Sequence, residues 1–451
     1  MKIHIIGIGG TGVSGLAQYY LSKGNQVSGS DLVSSEITEF LKNKGIEVII
    51  GNSENNIDKD FDLVVYSPAV KFDNQELQKA KELKIKTQTY PEALGELTKE
   101  YFTIAVSGAH GKSTTTSMIG LLMTKAGLDP TVIVGTKLKE FGESNFRLGN
   151  SKFLVIEACE YDASFLNYFP KIIVITNVDK EHLDYFKTFA NVKKAFKDFI
   201  ARLAVASGEG RCDGSGYLVF NKDDKNTRVI LPKNPKLKAI GYSIKQKDSK
   251  KLKSILKIPG MHNVSNALAV LSVARILAIP DKISFKSLSE FRGTWRRFEI
   301  KQGVVNNPPS HKATARQRKI TVISDYGHHP NEILATLKAA REKYLNKNIW
   351  CIFQPHQHQR TYYLFNDFVK VFRQVKIDKI VITDIYDVAG RETKKINQEV
   401  SSEKLVKKIN RKNVNYILLC DIEKFIKENI KSGDVLIIMG AGDIYKLVDK
   451  F

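Results

Sequence analysis

The sequence has only four cysteines, Cys159, Cys212, Cys351 and Cys420, and no two of them stand at Cys-x-x-Cys spacing. That scarcity excludes a disulfide-stapled scaffold and a zinc ribbon, and the thiols are expected to be free. Long apolar runs are missing too. No stretch approaches the roughly 18 uncharged apolar residues of a membrane helix, and Met1-Lys2 leads straight into a strand pattern rather than a leader. The expected setting is the cytoplasm, with no membrane insertion. Acidic residues are the minority charge, 48 Asp+Glu against 70 Lys+Arg, for a formal net charge of +22. Only 15 of those 70 basic residues are arginine, and they form neither a long run nor an aromatic-interleaved stripe. A lysine-biased surface that weakly attracts anions explains this better than a nucleic-acid partner, and none is expected.

What is present is enough to build several cores. Hydrophobic residues make up 42% of 451 positions, which excludes a disordered chain. At about 150 residues per domain the length suggests about three domains. The opening Lys2-Ile3-His4-Ile5-Ile6 is an apolar run followed by Gly7-Ile8-Gly9-Gly10-Thr11-Gly12 and a helical pattern through Leu21. Strands are expected next at Val27–Asp31, Glu47–Ile50 and Asp62–Tyr66. A second unit opens at Phe102–Val106, runs into Ser107-Gly108-Ala109-His110-Gly111-Lys112-Ser113 and continues as a helix from Thr114 to about Ala126. Its further strands are Phe153–Glu157 and Ile172–Thr176, with a helix over Asn263–Leu277. A third unit has expected strands at Ile320–Ser324, Ile349–Gln354, Ile380–Thr383, Tyr416–Leu419 and Val435–Met439.

Strands alternating with helical patterns imply α/β architecture with mainly parallel sheets. Boundaries fall near residues 99 and 294, giving domains 1–98, 99–293 and 294–451. Two segments without apolar periodicity, 206–216 and 303–319, read as insertions or loops.

Gly7, Gly9 and Gly12 have the spacing that lets a backbone approach a pyrophosphate at a helix N-terminus, and Asp31 stands where an acidic residue would meet a ribose. A tight turn in any α/β sheet would read similarly, and the pattern does not select one diphosphate over another. The second glycine loop says more. Gly108-x-x-Gly111-Lys112-Ser113 follows a strand and opens a helix, although the full eight-residue pattern would need glycine where Val106 stands. In that reading backbone N–H groups hold phosphates, Lys112 neutralises the terminal ones and the Ser113 hydroxyl binds Mg²⁺.

A magnesium ion wants hard oxygen ligands, and Glu157 ends a strand of the same unit as such a carboxylate would. His182 follows another of its strands. Seven of the nine histidines, 110, 182, 262, 328, 329, 356 and 358, lie in short polar motifs at strand ends or helix starts; His4 and His311 do not. A transition-metal site built from His328, His329, His356 and His358 would lack the carboxylate or cysteine partners that usually complete one.

With these motifs in this order, the chain resembles the Mur ligases nearly from end to end. The match runs through Glu157-Ala158-Cys159-Glu160-Tyr161-Asp162, Thr176-Asn177, His262-Asn263-Val264-Ser265-Asn266-Ala267 and Arg296-Arg297-Phe298. It continues through Asp325-Tyr326-Gly327-His328-His329-Pro330 and Gly440-Ala441-Gly442-Asp443-Ile444. The resemblance implies a Rossmann-like N-terminal domain for a UDP-sugar, a central P-loop ATPase domain and a C-terminal Rossmann-like α/β domain that closes over the site. It also implies a reaction: ATP phosphorylates the carboxylate of UDP-N-acetylmuramate, and an amino group, most closely that of L-alanine, attacks the acyl phosphate. By the same resemblance, Gly108, Ala109, His110, Gly111, Lys112, Ser113, Thr114, Asn263, Asn266 and Arg297 bind the nucleotide. Gly7, Gly9, Gly12, Ser30 and Asp31 line the UDP side, and Ser113, Glu157 and His182 serve Mg²⁺. Lys112, His182, Asp325, His328, His329 and Arg360 are the expected catalytic set, in a monomer or weak homodimer.

The chain departs from the family in places. Gln357 replaces an arginine expected near the amino-acid carboxylate, and Cys159 replaces an aspartate. Residues 221–259 look shortened and 303–319 extended. Losing a bidentate arginine bears on acceptor choice more than on phosphate chemistry. Three other readings compete: a family member adding a preformed tripeptide to the same UDP-sugar, an NAD-dependent dehydrogenase, which leaves the second glycine loop unexplained, and a basic nucleic-acid-binding ATPase.

Overall fold

Runs such as Ile172–Ile175 and Val435–Met439 are buried along their whole length, as strands covered on both faces must be, and they lie inside two of three sheets. The computed structural model describes residues 1–205, 216–232, 237–306, 317–387 and 398–451. The first sheet is fully parallel: β1 (Lys2–Ile6), β2 (Gln26–Asp31), β3 (Glu47–Ile50), β4 (Leu63–Tyr66) and β5 (Lys86–Thr89), in the order β3-β2-β1-β4-β5. The second contains β6 (Phe102–Ser107), β7 (Thr131–Leu138), β8 (Ser144–Arg147), β9 (Phe153–Glu157), β10 (Ile172–Ile175), β11 (Tyr217–Asn221) and β12 (Lys238–Tyr242). Its order is β12-β11-β10-β6-β9-β7-β8, parallel except for the β7–β8 hairpin. The third has β13 (Glu299–Val305), β14 (Arg318–Asp325), β15 (Ile349–Phe353), β16 (Lys379–Ile382), β17 (Val414–Tyr416) and β18 (Val435–Met439). It is ordered β13-β14-β18-β15-β16-β17, with only β13 antiparallel.

Two compact units result, residues 1–255 with 265–291, and residues 256–264 with 292–451. In the first, one apolar core runs through both sheets, joining Ile5, Leu16 and Ala17 to Ile133, Phe146 and Ile156. The helix Thr11–Ser22 supplies the joint. The second unit has a core on each face of its sheet, around Phe353, Phe368 and Phe372 on one side and Trp350, Ile352 and Ile438 on the other.

The expected strand at Tyr416–Leu419 is corrected. β17 stops at Tyr416 and Leu419 opens the helix Leu419–Asn429, because Asp384 accepts the Leu419 N–H at 3.0 Å and the Tyr416 hydroxyl at 2.5 Å, fixing the turn from outside the segment. The P-loop helix begins at Lys112, two residues earlier than expected, since Gly111 takes a left-handed φ of +85° and ends the loop there. The ends of the 303–319 segment are strand, with Gly303 paired to Ile320 and Val305 to Arg318. Its middle, 307–316 with His311, lies outside the described residues, as do 206–215 of the other loop and Cys212. Cys159, Cys351 and Cys420 are free thiols. No described helix is long and apolar enough to cross a membrane.

His4 lies fully buried on β1, its Nδ1 3.0 Å from the Ser28 hydroxyl and its Nε2 3.9 Å from Glu76 Oε1. Burial pushes its imidazole down to about 4, with Asp58 acting weakly the other way. An unfolded histidine takes its proton near 6.5, so between those values the unfolded chain binds more protons. His4's contribution is therefore complete above pH 6.5 and lost as the pH falls toward 4, on the order of 2 kcal/mol by pH 5. Burial raises Glu76, which works in the opposite sense, so the comparison is with a His4→Gln variant. The variant's thermal midpoint should fall less than the parent's between pH 7.5 and pH 5; equal falls would mean that His4 is already charged in the fold.

Candidate active site

Three sets of loops follow the carboxyl ends of parallel strands, where α/β sheets place their ligand sites. In the first sheet, β1 ends at Ile6 and Gly7 opens the turn, and the Ser30 carbonyl at the end of β2 accepts the Gly7 and Ile8 N–H groups at 2.8 and 3.0 Å. Asp31 Oδ2 accepts the Gly9 N–H at 2.9 Å. The helix Thr11–Ser22 starts from Gly10 with no side-chain cap, the arrangement in which helix-start N–H groups can hold an anion. A Cβ at Gly12 would come within 2.9 Å of the Tyr90 hydroxyl, so a side chain there would have to displace that ring. Gly7, Gly9, Gly12 and Asp31 thus share one edge. Ser30 joins them through its carbonyl alone, because its hydroxyl turns inward and donates to the buried Glu76 at 2.6 Å.

In the second sheet, β6 lies between β10 and β9, and the loops after all three meet. The Thr176 hydroxyl and the Asn177 amide donate to the His110 carbonyl at 2.6 and 2.9 Å, and Asn177 Oδ1 accepts the His110 N–H at 2.9 Å. Asp179 Oδ2 stands 3.3 Å from His110 Nε2. The glycine loop, with Ala109 inside it, is therefore braced from outside by the segment after β10. Ser113 and Thr114, in the first turn of the helix Lys112–Lys125, are almost buried. Asn266 lies against Gly111, where an added Cβ would sit 2.6 Å from its Oδ1. Asn263, one turn earlier on the helix Met261–Ile276, donates to the Pro259 carbonyl at 2.7 Å.

Lys112 is the electrostatic centre. Its Nζ donates to the Gly108 and Ala109 carbonyls at 2.6 and 3.3 Å and lies 3.0 and 3.1 Å from the two Glu160 oxygens. Burial would lower the ammonium's pKa, but the Glu160 charge beside it more than reverses that and holds it above the ordinary lysine range. Glu160 is itself only 1% exposed, and its Oε1 is 3.9 Å from His182 Nε2. Glu157, the carboxylate expected from the sequence, accepts the Gly135 N–H on β7 at 2.6 Å through its Oε1. Three residues with side chains hold left-handed backbone here, Asp162 (φ +52°), Ala163 (φ +51°) and His182 (φ +56°). Such clustered strain marks functional loops.

In the second unit, Asp325 ends β14 nearly buried and accepts the Phe298 and Gly327 N–H groups at 2.9 and 2.8 Å. Burial raises its carboxyl despite the opposing charge of Arg297. His329 caps the helix Pro330–Lys343. Glu332, which sequence reading did not single out, accepts the His328 and His329 N–H groups at 3.1 and 3.3 Å and pairs with Arg297 at 3.3 Å. Its signal was available in a capping box, His329-x-x-Glu332. The neighbouring Arg296 is buried under Tyr326 and Tyr445 and donates to the Gly440 and Gly442 carbonyls, which ties the glycine turn after β18 to this edge.

After β15, Arg360 Nη1 lies 3.2 Å from His356 Nδ1 and donates to the His356 carbonyl at 3.1 Å, while the His356 ring stacks on Tyr386. Gln357 holds φ +73° at the start of the helix His358–Tyr363. No three of His328, His329, His356 and His358 converge as ligands among the described residues, which disfavours the transition-metal alternative.

The Gly111→Ala variant tests the loop. At φ +85°, with Asn266 in the way, it should lower the thermal midpoint and weaken binding of a non-hydrolysable ATP analogue about tenfold or more; unchanged affinity would place the triphosphate elsewhere.

Family models cover most of the chain: residues 2–102 match "Mur ligase family, catalytic domain", 106–274 match "Mur ligase middle domain" and 311–442 match "Mur ligase, glutamate ligase domain". The UDP-N-acetylmuramate–L-alanine ligase of Acetivibrio thermocellus is 43% identical over 476 aligned positions, covering 100% of this chain and 95% of the relative. That of Clostridium tetani is 41% identical, covering 100% and 97%. Among solved structures, the UDP-N-acetylmuramate–alanine ligase of Thermotoga maritima aligns over 100% of this chain and 98% of its own, with a TM-score of 0.77 at 28% identity. The three sheets, the two glycine loops and this full-length similarity agree: the chain belongs to the Mur ligase family.

Proposed function

We propose that the chain joins L-alanine to the carboxylate of UDP-N-acetylmuramate at the expense of ATP, in the synthesis of peptidoglycan precursors. The observation that carries the reading is the pairing of Lys112 with Glu160 inside a glycine loop of the second sheet, in a chain similar along its whole length to ligases named for these two substrates. The chemistry answers a specific difficulty: a carboxylate cannot expel oxide, whereas an acyl phosphate expels phosphate readily. A carboxylate oxygen attacks the γ-phosphorus and ADP leaves. The neutral amine then attacks the acyl carbon, and the tetrahedral adduct collapses with loss of phosphate and a proton to give the amide. Such catalysis rests on positioning and charge neutralisation.

The first loop, through Gly7, Gly9, Gly12, Asp31 and the Ser30 carbonyl, takes the UDP side. Gly108–Thr114 take the ATP phosphates, and Asn263 and Asn266 lie at the adenine. The donor set fits a magnesium ion: a helix-start hydroxyl, a buried carboxylate and an imidazole are Ser113, Glu160 and His182, with Glu160 in place of Glu157. When bound, the ion would screen phosphate charge. Within the second unit, Arg297 is the candidate for nucleotide phosphates, and Asp325, His328, His329 and Arg360 are the candidates for nucleotide and amino acid. On this reading the reaction belongs in the cytoplasm, where ATP is supplied. The Gln357 substitution favours a second reading in acceptor choice only, a ligase of the same mechanism that prefers another amino acid.

The test is phosphate release from ATP with Mg²⁺ and UDP-N-acetylmuramate, comparing no acceptor, L-alanine, glycine, L-serine and the tripeptide. Release should require the sugar nucleotide and be greatest with L-alanine; a different best acceptor would move the specificity, and no sugar-dependent release would refute the substrate. Lys112→Ala should lower turnover more than about 100-fold while UDP-N-acetylmuramate still binds in a titration. Glu160→Gln should cost at least about 100-fold and Glu157→Gln less than about tenfold. The opposite order would return the metal to Glu157.

A further inference from the structure

We propose that the β7–β8 hairpin is a spacer that sets the distance between the two nucleotide loops, with Asn145 and Gln18 as positioning residues for phosphoryl transfer. The inference rests on the function proposed above and concerns how its two halves are held in register. At one end, the hairpin grips the first turn of the helix that follows the first glycine loop. Asn145 Nδ2 donates to the Thr11 carbonyl and to the Ser14 hydroxyl, the latter at 3.0 Å. Asn145 Oδ1 accepts from Gln18 Nε2 at 2.9 Å, and Gln18 Oε1 accepts from the Ser144 hydroxyl at 2.8 Å. Both amides are buried, at 6% and 7% exposure, so this network is directional and dry. Gly15 lets the contact close, since a Cβ there would lie 2.9 Å from Ile133.

At the other end, the Gly135 N–H of β7 holds Glu157, which pairs in register with Val106 just before the second glycine loop. A third tie, Lys137 to Glu36 at 2.8 Å, reaches the helix after Asp31. Apolar packing between the sheets resists separation but tolerates sliding. The buried amides do not, because a small slip leaves them unsatisfied.

The consequence is kinetic. The sugar nucleotide is anchored on one loop and ATP on the other, yet the attacking oxygen must come within about 3.5 Å of the phosphorus. Neither loop senses that gap alone, so a loosened spacer changes turnover without changing either affinity.

The experiment measures kcat for UDP-N-acetylmuramate-dependent phosphate release in the parent, Asn145→Ala and the milder, more solvent-facing Lys137→Ala. Separate titrations give the Kd for UDP-N-acetylmuramate and for a non-hydrolysable ATP analogue. Asn145→Ala should lose at least about tenfold in kcat with each Kd within about threefold of the parent, and Lys137→Ala should shift kcat the same way by less. Unchanged kcat in folded Asn145→Ala, or in Lys137→Ala where Asn145→Ala does not fold, overturns the spacer. So does a rise in both Kd values parallel to the loss in kcat, which is what a merely structural role produces. A parent with no sugar-dependent release refutes the function and the spacer with it, whereas an active parent with unchanged variants refutes the spacer alone.

Discussion

A lysine held at the mouth of a helix must have a counter-charge, since leaving an ion buried and unpaired costs roughly 3–5 kcal/mol. Here the counter-charge is Glu160, and much of the second sheet's edge is arranged to bring the two together. Glu160 reaches Lys112 because β9 lies beside β6 and the chain turns sharply through Asp162 and Ala163 in left-handed backbone. The same turn places Tyr161 against the ring of His182, whose Nε2 lies 3.9 Å from Glu160 Oε1. Under the function proposed above, a polyphosphate at this loop would offer Lys112 a second anion and let Glu160 turn to a cation.

The same logic of strand edges recurs in each sheet. Parallel strands direct their following loops to one side, so Gly7 and Asp31, the Lys112 loop with Glu160, and Asp325 with Gly440 and His356 each gather without a designed cavity. The third edge is the most elaborately braced. Arg296 is spent on the carbonyls of Gly440 and Gly442, and Glu332 on two backbone N–H groups and Arg297. These contacts fix the backbone of the edge on which Arg360, bonded to His356, and His328, beside Glu332, are held.

Much of this was legible in the sequence where the signal is local. Both glycine loops were, because a left-handed φ and a closely approached backbone restrict the residue type to glycine, and the central strands were, because burial on both faces demands uninterrupted apolar runs. Edge strands were not: Lys86-Thr87-Gln88-Thr89 pairs with β4 although no apolar pattern marks it. Leu419 was read as strand because its apolar neighbours extend β17, whereas Asp384, thirty-five positions away, ends the strand. Glu157 reads as a metal ligand because it ends β9. The pairing of β7 with β9, which brings the Gly135 N–H to its Oε1, and the turn that brings Glu160 round to Lys112 are both beyond a local pattern. Ser30 likewise reads as a ligand-side hydroxyl until the buried Glu76 beneath it is seen.

The central claim is that the substrate carboxylate is activated by phosphorylation, and oxygen isotope transfer tests it most directly. UDP-N-acetylmuramate labelled with ¹⁸O in its carboxylate is turned over with ATP and L-alanine, and the released phosphate is weighed by mass spectrometry. An acyl phosphate route predicts one ¹⁸O in each phosphate formed. Unlabelled phosphate, released in step with amide formation, would mean that ATP is split without activating the carboxylate and would contradict the account.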